Sequence, residues 1–137
     1  MILLDTHVWL WWVHGDVALP SRVTSTIGYF ASEGLAVSAI SCWEVAKLLE
    51  RGRLELPMGI HEWMDLALDG SGVTVVPLSP SIAIASSTLP GAFHRDPADQ
   101  IIVATSRVHA LPLVTCDQKI RNYPYVRLAD DAQIHDR

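Results

Sequence analysis

Three short runs of this chain are almost wholly apolar: residues 1–4 (MILL), 35–37 (LAV) and 73–76 (VTVV); a fourth, 113–115 (LVT), is close behind. A strand with one face in water alternates apolar and polar residues. Continuous short runs belong to strands buried on both faces, as in a parallel sheet covered by helices. The segments between them carry helix signals. Residues 6–14 are apolar nearly all round and stop at Gly15. Pro20-Ser21 opens a helix that runs to about Glu33 and ends at Gly34. Residues 41–51 are followed by Gly52. Residues 58–69 place Ile60, Trp63, Met64, Ala67 and Leu68 at helical spacing, and 81–88 form a shorter helix. The clearest helix covers 97–109, with Asp96 as N-cap and Pro97 as its first residue. A last strand is expected at 125–128. Strands and helices alternate, so the expected class is α/β with a central parallel sheet. A length of 137 residues suits one domain, 1–137.

Composition removes several function classes. Half the residues are hydrophobic and 18% are charged, which excludes a disordered chain. A net charge of −5 excludes nucleic-acid binding through bulk positive charge. Cys42 and Cys116 are too few for a disulfide framework and read as reduced thiols of a cytoplasmic protein. The N-terminus lacks a basic leader, and the longest apolar stretch, 8–13, is far short of the roughly 20 residues a membrane helix needs. Residues 129–137 (ADDAQIHDR) look like a tail.

In sheets of this kind, ligands bind outside the carboxyl ends of the strands. Asp5 ends the first strand, and Asp117 follows the strand at 113–115. Glu44 and Asp99 fall in the first turns of helices that begin at the same edge. Each residue alone has a plain structural role. Ser41 and Glu44 make an S-x-x-E capping box, Asp99 suits a helix N-terminus, Asp117 can start the turn before Lys119, and Asp5 can cap the helix at Thr6. Together, four carboxylates at one edge repel, and some must take up protons unless a cation lies between them. Oxygen ligands without His or Cys suit Mg²⁺ or Mn²⁺. The chemistry this favours is hydrolysis of phosphate esters or phosphodiesters.

The order is strand-Asp5-Thr6, then SCWEVAKL with Glu44, HRDPADQIIVATS with Asp99, and LVTCD with Asp117, eighteen residues after Asp99. This resembles the PIN-domain ribonucleases, and most of all the VapC-like toxins of prokaryotic type II toxin–antitoxin pairs. The resemblance implies a Rossmann-like α/β/α sandwich and an endoribonuclease dependent on Mg²⁺ or Mn²⁺. It also implies a cognate antitoxin and a homodimer. Asp5, Glu44, Asp99 and Asp117 match the family's acidic quartet, with Asp5 and Asp99 as direct metal ligands. Asp96 matches an extra acid, and Thr6 and Thr115 match hydroxyls beside the acids. In-line attack by water would leave a 5′-phosphate and a 3′-hydroxyl.

Lys47 and Arg51 share the helical stripe of Glu44, and Arg95 precedes the Asp96 cap. All three are candidate RNA phosphate contacts; the plain readings are an i,i+3 pair of Lys47 with Glu44 and solvated surface. His7 reads as a helix-surface or core residue. Trp9 and Trp12 read as core, and Trp11 as core or as an interface residue. Two other functions use the same acidic edge. A haloacid-dehalogenase-like phosphatase would use Asp5 as nucleophile, although it expects a second Asp where this chain has His7. A receiver-like regulatory module would only hold Mg²⁺, although it expects adjacent acids where this chain has Leu4-Asp5.

Overall fold

The computed structural model describes residues 1–130. Four strands, β1 (Ile2–Leu4), β2 (Leu35–Ser38), β3 (Val73–Val76) and β4 (Leu113–Val114), form one sheet in the order β3-β2-β1-β4, every pair parallel. The helices are α1 (Thr6–His14), α2 (Ser21–Phe30), α3 (Ala39–Glu50), α4 (Ile60–Ala67), α5 (Pro80–Ser87), α6 (Pro97–His109) and α7 (Gln118–Arg121).

The continuous apolar runs are explained by what covers each face. Ile2 and Leu4 of β1, Leu35 and Val37 of β2, and Val114 of β4 pack with Trp9 of α1, Ile27 of α2, Val45 of α3 and Trp63 of α4. Leu3, Ala36 and Leu113, one step out of phase, pack on the opposite side with Ile102 and Val103 of α6 and Ile120 of α7. The period-2 alternation of side chains sends successive residues to opposite cores, and both cores are apolar. Trp9 is fully buried, and its indole N–H donates to the Ala67 carbonyl at 3.0 Å. Trp12 is partly buried against the same core. Among the described residues, no helix is long and apolar enough to cross a membrane.

Three expectations from the sequence change. First, α3 begins at Ala39, and its cap is Ser38, whose hydroxyl accepts from Ile40 N. Ser41 and Glu44 therefore do not form a capping box, and Glu44 lies in the second turn. Second, 125–128 is not a strand: a single parallel bridge joins Leu113 to Leu128. Pro124 supplies no backbone donor, and turns occupy 124–125. Third, Gln118–Arg121, read only as a turn, closes into the one-turn helix α7. Most of the tail-like segment, 131–137, lies outside the described residues.

Strand order positions the site. From β1 the chain steps to β2 and β3 on one side, then returns to β4 on the other. The direction of winding reverses between β1 and β4, and a crevice opens at such a point beyond the strand ends. Asp5 follows β1 there, and Asp117 follows β4.

Candidate active site

A cleft of about 300 Å³ lies at this edge, lined by Asp5, Glu44, Asp96, Asp99 and Asp117 together with His7, Val8, Trp11 and Cys116. The sequence-derived quartet and Asp96 thus come together from four separate segments.

Asp5 caps α1: its Oδ1 accepts from Thr6 N at 2.8 Å. Its Oδ2 accepts from the Thr115 hydroxyl at 2.7 Å, and the Thr115 oxygen in turn accepts from Asp117 N at 3.0 Å. One buried hydroxyl therefore ties the ends of β1 and β4. Asp5 is only 8% exposed. Each carboxylate oxygen offers more than one lone pair, so Asp5 keeps acceptor capacity toward the cleft.

Glu44 is placed by α1. Thr6 Oγ1 lies 2.5 Å from Glu44 Oε1 and 2.8 Å from Ser41 Oγ. A hydroxyl has one proton, so Thr6 can donate to one of these two oxygens at a time. When Glu44 is ionised it is acceptor-only and takes that proton, leaving Oε2 outside this bond. Ser41, buried inside α3, supports Thr6 rather than capping the helix.

Asp99 is placed by the start of α6. Asp96 caps the helix by accepting from Asp99 N at 3.1 Å. His94 Nε2 lies 2.7 Å from Asp99 Oδ2, and the His94 carbonyl accepts from Gln100 Nε2 at 3.1 Å. The loop bearing His94 is held by Tyr123, whose hydroxyl donates to the Pro90 carbonyl at 2.5 Å. It is held also at Gly91, whose φ of +66° suits glycine and where a Cβ would stand 3.0 Å from the Tyr125 ring. His94 was missed at the level of sequence. The available signal was its place five residues before Asp99, in the turn leading to a capped helix. Asp117 is exposed at the rim and caps α7 by accepting from Lys119 N at 2.8 Å.

The electrostatics follow from this crowding. Burial pushes the Asp5 carboxyl above its usual range, against the pull of Thr115, Thr6 and His7, and Asp117 adds repulsion. Burial also raises Glu44, opposed by Thr6 and reinforced by Asp5, Asp99 and Asp96. Asp99 is raised by burial, opposed by His94 and reinforced by Asp96, Asp5 and Asp117. Three carboxyls thus hold protons more tightly than free ones do, chiefly because burial disfavours their charged forms and in part because they repel one another. His7 and Cys116 also line the cleft, but carboxylates predominate, and carboxylate oxygens fit a hard divalent cation. Among the described residues no three ligating side chains already converge on one point. Mg²⁺ sites with one or two protein carboxylates and several waters need no such convergence.

The candidate RNA contacts are placed differently from the acids. Lys47 pairs with Glu50 at 3.1 Å, not with Glu44, and its ammonium lies 5.9 Å from the Trp43 ring centroid. Arg51 and Arg95 are exposed, and none of the three lines the acidic cleft. His7 is a surface residue at the cleft, with its ring centroid 5.9 Å from that of Trp11. Trp11 is half-buried and faces the same cleft.

Residues 2–125 match the PIN domain. The chain is 35% identical over 126 residues to "Ribonuclease VapC22" of Mycobacterium tuberculosis, covering 92% of this chain and 94% of that protein. A solved VapBC2 complex from Rickettsia felis bound to promoter DNA superposes with a TM-score of 0.67 at 17% identity, covering 93% of this chain and 97% of the other. A toxin–antitoxin complex from Klebsiella pneumoniae gives 0.59 at 23% identity, covering 94% and 98%. These two share the fold; the sequence match to the PIN domain and to VapC22 carries the family. The chain belongs to the PIN-domain family and is VapC-like within it.

Proposed function

We propose that the protein is an endoribonuclease, the toxin of a type II toxin–antitoxin pair, dependent on Mg²⁺ or Mn²⁺. The observation that carries this reading is the cleft at the β1/β4 reversal, whose lining includes Asp5, Glu44, Asp99 and Asp117 with Asp96 beside them. Support comes from the similarity to a protein named as a ribonuclease. A cognate antitoxin accords with the toxin–antitoxin complexes that share the fold. By the same resemblance, the working form is a homodimer and its compartment is the cytoplasm.

Asp5 and Asp99 are the residues that would hold the cation, with Glu44 and Asp117 completing the pocket. When bound, the ion neutralises phosphate charge and makes a nearby water more acidic. The chain's own residues supply the rest. Thr6 occupies Glu44 Oε1, so Oε2 is the oxygen that takes the proton from the attacking water, and a raised pKa makes Glu44 a better base near neutrality. Water oxygen bonds to phosphorus as the bond to O3′ breaks, and the departing O3′ takes a proton from solvent water, leaving a 5′-phosphate and a 3′-hydroxyl while Glu44 returns its proton to solvent. Thr115 holds Asp5 Oδ2, Thr6 N–H holds Oδ1, and His94 orients Asp99 by fixing Oδ2.

The test is incubation of purified protein with a structured RNA, with Mn²⁺ or with chelator, beside the Asp5→Asn variant. Cleavage that needs the ion and is lost in the variant is the expected result. Full cleavage in chelator would remove the metal from the reading. Hydrolysis of small phosphate monoesters with RNA left intact would favour the phosphatase.

A further inference from the structure

A second cleft, of about 290 Å³, adjoins the acidic one and is lined by Ala92, Phe93, His94, Lys119, Asn122, Tyr123 and Pro124. Two residue pairs form the boundary. His94 faces the second cleft while its Nε2 touches Asp99 of the first. Lys119 faces the second cleft while its backbone N–H is held by Asp117 of the first. The chemistry changes across that boundary from carboxylates to aromatic rings and a cation.

The aromatic side is rigid. Phe93 packs between His94, at 4.3 Å between ring centroids, and Tyr123, at 4.8 Å. Tyr123 is buried and its hydroxyl is committed to Pro90. Lys119 is exposed and has no carboxylate partner among the described residues, in contrast to Lys47. The Asn122 side-chain carbonyl accepts from Gln118 at 2.8 Å, which leaves its NH₂ outside that bond as a donor. An aromatic cluster, an unpaired ammonium and an amide donor are the parts that take one unstacked nucleotide: base against the rings, phosphate on the cation.

Resting on the ribonuclease reading, we infer that this second cleft seats a nucleotide adjacent to the scissile phosphate, with Lys119 on its phosphate and the Phe93–His94 wall against its base. The acidic pocket repels an incoming strand, and Lys119 supplies the local attraction that the chain's net negative charge does not.

The experiment uses fluorescence anisotropy of a labelled single-stranded RNA in chelator, for the wild type, Lys119→Gln and Phe93→Leu, at several salt concentrations. It is paired with hydrolysis of bis(p-nitrophenyl) phosphate in Mn²⁺, which reports the acidic centre without a strand. Lys119→Gln should weaken binding and reduce the salt slope by about 0.7, the amount for one phosphate on a single strand. Phe93→Leu should weaken binding roughly tenfold with the salt slope unchanged. Lys119→Gln should hydrolyse the small diester at the wild-type rate. Unchanged affinity and slope in Lys119→Gln, a surface change that leaves folding intact, would overturn the inference even where the wild type cleaves RNA. Wild-type affinity in both variants together with loss of diester hydrolysis would overturn it too, by placing these residues in the catalytic centre. Failure of the wild type to cleave any RNA strikes the ribonuclease reading instead, while the anisotropy arm still judges the cleft.

Discussion

Asp5 uses its two oxygens on two different partners, and this allows its structural and chemical roles to be separated. The Thr6 N–H needs only an acceptor, which an amide oxygen provides as well as a carboxylate. Asp5→Asn should therefore keep the α1 cap and the fold while abolishing nuclease activity, checked by circular dichroism beside an RNA cleavage assay. Thr115 makes a sharper test. Its hydroxyl donates to Asp5 Oδ2 and accepts from Asp117 N, all at a fully buried oxygen. Thr115→Val keeps the shape and removes both bonds, leaving a buried carboxylate oxygen short of a donor. A loss of about 1–3 kcal/mol of stability is expected, with a fall in activity that Thr115→Ser restores. Denaturant melts and single-turnover cleavage would measure the two effects. A Val variant as active as wild type would reduce Thr115 to a packing residue. Asp5, Asp99 and Asp117 are legible in the sequence because each follows a strand or opens a helix at the one edge, whereas Glu44 lies a turn further into its helix than the sequence pattern places it. His94 is not legible, because its function depends on a loop geometry set by Gly91 and Tyr123, which no spacing rule encodes.

At the level of elements, α3 shows why local signals mislead at a functional site. Ser41-x-x-Glu44 satisfies the capping-box pattern, yet the strand before it ends in Ser38, which caps the helix first. Ser41 and Glu44 are then carried into the helix, where they meet Thr6 of α1. The pattern was right about residue types and wrong about register, because two serines three residues apart compete for one role. This yields a discriminating experiment. Ser38→Ala should cost about 1 kcal/mol, as a lost N-cap does. Ser41→Ala, at an interior position where Ala is the better helix former, should cost less in stability but loosen the Thr6–Glu44 contact and reduce turnover. Equal destabilisation with unchanged turnover in both variants would contradict this division. The helices α1 and α6 were readable to the residue, since Asp5 and Asp96 cap them and Pro97 fixes the first turn of α6. The segment at 125–128 was misread because its apolar alternation says nothing of how much strand it can pair with. β4 is two residues long and meets it only at Leu113.

At the scale of the whole molecule, the acidic cleft should govern how stability responds to pH and to divalent ions. Asp5, Glu44 and Asp99 hold their protons above the usual carboxylate range in the folded state. The folded chain therefore binds more protons than the unfolded chain between the ordinary and the raised values. Their contribution to stability is complete below the ordinary range and is lost as pH rises through the raised values. Asp130 acts in the opposite sense: Arg121, at 2.7 Å, and Arg22 hold its carboxyl below the usual range, so its contribution is present above that range and lost as pH falls through the lowered value. A raw profile mixes the two, and the difference between wild type and Asp5→Asn isolates the cleft. That difference should favour the variant increasingly as pH rises. A divalent ion reverses the trend, because it binds the deprotonated carboxylates and competes with protons for them. An ion that binds only the folded state adds RT ln(1 + [L]/Kd), about 2.7 kcal/mol at a hundredfold excess over Kd. The Tm increase given by Mn²⁺ should thus be small at about pH 5, grow toward about pH 8, and vanish in Asp5→Asn. Differential scanning fluorimetry over a pH and Mn²⁺ grid would measure it. The same increase in both proteins would place the ion outside the cleft, and an increase independent of pH would mean that it does not displace the protons these three carboxyls hold.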